Sequence, residues 1–108
     1  MKRVSDQAFR ELVAELLGRC PPPARTRVVC KRVSTAALGG DFADVSKARS
    51  TFTIRIARGL DDRQTLDALI HEYAHVMDWR PYHPLIHDHG PTWGVEYARI
   101  YCAVHGCT

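Results

Sequence analysis

Ala8, Phe9, Leu12, Val13, Leu16 and Leu17 recur three and four residues apart. That spacing predicts an amphipathic helix that packs against a sheet and does no chemistry. Ser5 is placed as its N-cap, with Asp6 in the first turn favouring the helix dipole. Gly18 and the prolines at 21, 22 and 23 end it. Over 24–33 the period shortens to two: Thr26, Val28 and Cys30 fall on one side, and Arg25, Arg27 and Lys31 on the other with Val29 among them. Gly39-Gly40 marks a turn, and 42–45 begins a second strand. The third strand, 51–57, alternates most clearly. Phe52, Ile54 and Ile56 form a buried face, and Thr51, Thr53 and Arg55 a wet one that Lys47 and Arg49 extend.

After Gly59-Leu60, Asp61 and Gln64 stand at capping-box spacing, so a helix is expected over 62–79, ending before Pro81. Pro81 and Pro84 stiffen the segment 80–90, in which Leu85 and Ile86 read as core plugs. Pro91 suits the first position of a last helix, which carries Trp93, Tyr97, Ile100, Tyr101 and Val104 at helical spacing as packing residues. Gly106 ends that helix. The pattern predicts an α+β fold: an N-terminal helix, a small and mostly antiparallel sheet of about three strands, and two further helices.

With 108 residues, 45% hydrophobic and 25% charged, the chain is expected to form one domain over 1–108 with a modest core. No stretch of eighteen apolar residues predicts a membrane span, and the first residues lack the apolar core of a secretory signal. The expected location is therefore cytoplasmic or nucleoid-associated. There Cys20, Cys30, Cys102 and Cys107 stay reduced. Cys102-x-x-His105-x-Cys107 offers three ligands, a fragment of a second metal site at most.

Charge divides the chain. Residues 1–58 hold twelve Lys/Arg against five Asp/Glu, or +7, and residues 59–108 hold three against seven, or −4, giving +3 in all. A basic half beside an acidic one makes Arg25, Arg27, Lys31, Arg49 and Arg55 candidate nucleic-acid contacts, DNA above all; the alternative is a solvated strand face.

The second helix carries the chemistry. His71-Glu72-x-x-His75 sets two imidazoles four residues apart on one helical face, where both can reach one metal ion. Glu72 is offset by one residue, placed to act as a general base on water. Leu66, Leu69, Ile70, Tyr73, Val76 and Met77 surround the motif, so the histidines sit beside the core. A hydrolytic zinc site needs a third protein ligand, and His83, His87, His89 and Glu96 are the candidates. His89-Gly90-Pro91 is well placed, just before a helix; Glu96 is the rival, twenty-one residues after His75. The oxyanion or substrate contact stays open among Tyr73, Tyr82, His87, His83 and Arg80, and Asp78 or Asp88 could orient an imidazole.

His71-Glu72-x-x-His75 followed by His89-Gly90-Pro91-x-Trp93 resembles the SprT-like zinc metallopeptidases, which include the Spartan proteases. The likeness runs from about residue 51 to residue 101 and is weak before that. It implies a minimal zincin-like domain holding one zinc ion on His71, His75 and His89, with Glu72 as base. It also implies a protein or peptide substrate, with DNA-bound proteins as one theme. Bacterial members usually continue into a C-terminal cysteine zinc ribbon, whereas this sequence ends at Thr108. In such a fold an extended peptide pairs with a strand bordering the cleft, and 51–57 is the expected strand. The alternative function is a non-catalytic, zinc-stabilised module that binds nucleic acid or protein.

Overall fold

The computed structural model describes residues 6–34, 38, 42–79 and 90–106. In chain order they form α1 (Asp6–Arg19), β1 (Arg25–Val33), β2 (Ala43–Ala48), β3 (Thr51–Ala57), α2 (Asp62–Met77) and α3 (Pro91–His105). The α+β class and the order of elements agree with the sequence pattern. Ser5, Gly39, Gly40, Leu85 and Ile86 lie outside the described residues.

The sheet has the order β1-β3-β2 and is mixed: β2 pairs antiparallel with β3, and β1 pairs parallel with it. "Mostly antiparallel" therefore holds for one of the two pairings. A two-residue turn at Arg49-Ser50 makes β2 and β3 a hairpin, with Arg49 in the left-handed region at φ 58°. Side-chain alternation fixes which face a strand buries and is silent on the direction of its neighbour. The same topology corrects the expected docking strand. β3 is central, with both edges occupied, so the sheet edges belong to β1 and β2.

β3 alternates as its sequence does: Phe52, Ile54 and Ile56 are buried while Thr51, Thr53 and Arg55 are half-buried on the other face. The buried row receives α2, which lies against β2 and β3, and α3 packs on α2. Trp79, just past α2, meets the Phe52 ring edge-on at 5.5 Å. α1 packs mainly on α3 rather than on the sheet, with Phe9 and Leu16 in the core and Arg19 Nη1 donating to the Ala103 carbonyl at 3.2 Å. Lys47 takes the register of Phe52 instead of extending the wet face, and its Nζ lies 5.4 Å from that ring. No described helix is long and apolar enough to cross a membrane.

Candidate metal centre

The capping box expected at the start of α2 is present. The Gln64 amide donates to Asp61 Oδ1 at 2.9 Å, and the Asp61 amide to Gln64 Oε1 at 3.2 Å. Fixing the first turn fixes the phase of every later residue, and so sets which face the histidines occupy. The helix closes at Met77 rather than 79: the Asp78 amide donates to the Ala74 carbonyl at 3.0 Å, and the Trp79 amide to Val76 at 3.3 Å, a tightened last turn.

Three donor side chains converge late in this helix. His71, Glu72 and His75 each offer a ligand atom, all within 4.8 Å of one another, so the group can hold a metal ion. The imidazole centroids are 5.2 Å apart at 70°, and His71 Nε2 lies 3.9 Å from Glu72 Oε1. Their settings differ. Glu72 and His75 are buried, and His71 is half-exposed, leaving one side of the group in reach of solvent. Burying a carboxylate beside an imidazole is costly by several kcal/mol per charge unless compensated. A divalent cation held there would favour the carboxylate, and the C-terminal end of the helix dipole favours positive charge. Two imidazole nitrogens suit a borderline-soft ion, with a carboxylate beside them.

Trp93 completes the described surroundings. Its ring centroid lies 5.1 Å from His71 and 5.6 Å from His75, and its Nε1 donates to the His71 carbonyl at 3.4 Å. Read from sequence as a packing residue, it lies against both imidazoles; its place in H-G-P-x-W was the available signal. One residue earlier, Thr92 Oγ1 donates to Asp78 Oδ2 at 3.2 Å. Asp78 is thus a buried tie between the end of α2 and the start of α3. Gly90 caps α3 in an extended conformation, with Pro91 in its first turn.

Two described candidates, Glu96 and Tyr73, stand outside this group. Glu96 does not join the ligand group; its carboxylate accepts from Arg99 on the same helix. Tyr73 is no substrate contact. It is fully buried, its hydroxyl donates to the Cys20 carbonyl, and burial raises its pKa. A ring pointing into the core cannot also face a cleft. Arg80, Tyr82, His83, His87, Asp88 and His89 lie outside the described residues.

Arg25 and Arg27 are exposed on β1 opposite Thr51 and Thr53, and Arg49 is exposed in the turn. Arg55 is otherwise engaged: its Nε donates to Asp44 Oδ1 at 2.8 Å, and its Nη2 pairs with Asp44 Oδ2. That hydrogen bond raises the Arg55 pKa and offsets its charge, which removes it from the free basic surface. The side chains of Lys31 and Cys30, and all of Cys107, lie outside the description; Cys20 is a buried free thiol and Cys102 is half-buried. Among the described residues, Cys102 and His105 belong to no group able to hold an ion.

No family model, no curated protein and no solved structure matches the chain.

Proposed function

We propose that the chain is a zinc-dependent metallopeptidase of the SprT-like kind, acting on protein or peptide substrates. The observation that carries this reading is the convergence of His71, Glu72 and His75 within 4.8 Å on the half-solvated side of α2. His71 and His75 hold the ion, and His89 is the third ligand. Supporting that choice, Thr92 and Trp93, three and four residues after position 89, bind the start of α3 to the histidine-bearing helix. A zinc ion there supplies Lewis acidity that polarises a carbonyl and brings the pKa of water towards about 7. Glu72 accepts the proton of the attacking water and returns it to the leaving amine, general acid–base work of about 10²–10⁴-fold. A purely structural zinc site closes four protein ligands and needs no base, so a buried glutamate beside the histidines favours the enzyme over the module.

A charge argument favours substrates found on DNA. Residues 24–58, which form the sheet, hold eight Lys/Arg against two Asp/Glu, or +6, twice the net charge of the whole chain. A reducing compartment, the cytoplasm or the nucleoid, suits the free thiol of Cys20.

The test is cleavage of an unfolded generic protein by the zinc-loaded chain, with and without DNA. Cleavage should vanish on chelation and return with zinc. A chain that binds one zinc tightly and cleaves nothing under any of these conditions would be the binding module instead.

A further inference from the structure

One feature of α3 has no part in the chemistry above. Trp93, Tyr97, Tyr101 and His105 stand four residues apart and form a continuous ring ladder, with centroid separations of 5.1, 6.1 and 4.1 Å. Its inner end is the Trp93 ring against His71 and His75; its outer end is exposed, Tyr101 being 39% accessible and His105 exposed. A helix stripe that only packs ends up buried, and here Ile100 alone of α3 is fully covered. Trp93 and Tyr97 are half-buried against the core while Tyr101 and His105 reach solvent, so the ring faces run from the candidate centre out to the surface, as in a contact surface.

The geometry points to this ladder as a substrate-binding wall: it takes an extended peptide whose alternate side chains are apolar or aromatic, and leads it to the metal centre. The inference rests on the peptidase reading. Twelve residues of helix carry the ladder about 18 Å from the histidines. An extended chain places side chains of one face about 6.6 Å apart. That repeat lies close to the 5.1 and 6.1 Å steps between Trp93, Tyr97 and Tyr101, so successive side chains of one peptide face meet successive rungs. The occupant is a peptide rather than a nucleic-acid strand, because residues 59–108 carry −4 and Asp67 lies close enough to Tyr97 to help raise its pKa. The specificity this implies is for unfolded or β-prone segments, whose apolar side chains are accessible.

Binding is read without turnover on zinc-loaded Glu72→Gln protein, by fluorescence anisotropy of two labelled ten-residue peptides. One alternates Phe or Val with Ser; the other is Ser and Gln throughout. Tyr101→Ala, at an exposed position, should weaken the alternating peptide about tenfold and leave the polar one unchanged. Tyr97→Ala should do the same and Tyr97→Phe should not, with circular dichroism confirming the fold. Equal affinity of wild-type and Tyr101→Ala protein for the alternating peptide would overturn the inference. So would oligothymidylate that binds the protein and is lost in the tyrosine variants, since the wall would then be a base-stacking surface. If the protein with Glu72 intact cleaves nothing while the ladder still selects the alternating peptide, the peptidase reading fails and the peptide-binding surface stands.

Discussion

α2 and α3 are nearly equal in length, 16 and 15 residues, and the second is the more apolar in sequence, yet they are used in opposite ways. α2 buries eight residues, Glu72 and His75 among them; α3 buries Ile100 alone and leaves an aromatic stripe in reach of solvent. Apolar content does not decide which helix enters the core. Position does: among the described residues α2 lies between the sheet and α3, while α3 packs on α2 and, along part of its length, on α1. The polar groups that the central helix carries inward demand partners, and Glu72 and His75 among them belong to the group able to hold a metal ion. The rings that the outer helix carries outward demand none, and their signature is a surface.

Substitutions can break this contrast, and the largest effect belongs to the buried imidazole. His75→Ala should abolish stoichiometric zinc binding. It should also remove the stabilisation that zinc gives the wild type, about 4 kcal/mol when zinc is a thousandfold above its Kd, read as a lost zinc-dependent rise in Tm. Tyr73→Phe should cost about 1–2 kcal/mol in urea unfolding, because the Cys20 carbonyl loses its donor in the core. The same tyrosine sets an alkaline limit. Its pKa is raised on folding by burial, so its contribution is complete below the ordinary value near 10.0 and is lost as pH climbs above it. Stability of Tyr73→Phe should therefore fall less steeply than wild type above that pH.

A smaller loss, about 1 kcal/mol, is expected for Asp61→Ala, which removes the cap that starts the buried helix. Tyr101→Ala on the outer helix should leave Tm within the equivalent of about 0.5 kcal/mol. A large destabilisation there would make the ladder a packing stripe and erase the distinction between the two helices.

Much of α2 was legible because its signals are local. Asp61 with Gln64, and His71 with Glu72 and His75, sit within one or two turns of each other, where helical geometry alone fixes the relation. The buried row of β3 was legible for the same reason. What needed the third dimension is long-range. The parallel partner of β3, its central place in the sheet and the packing of α1 on α3 depend on how separate elements meet. Tyr73 shows the limit most sharply. Adjacent to His71 and Glu72 in sequence, it points into the core at Cys20, because successive helical residues turn by about 100°. Arg55 is a second case, since a cross-strand acid eleven residues away takes up the charge that composition alone left free.

The central claim is that one carboxylate on the metal-holding face of α2 acts as a base and is not needed to hold the ion. Zinc content and peptide-bond hydrolysis measured side by side in wild type and Glu72→Gln test it directly. The account predicts one zinc per chain in both proteins, with hydrolysis lowered at least about a hundredfold in the variant. Glu72→Gln protein that turns over at the wild-type rate with its zinc in place would contradict it.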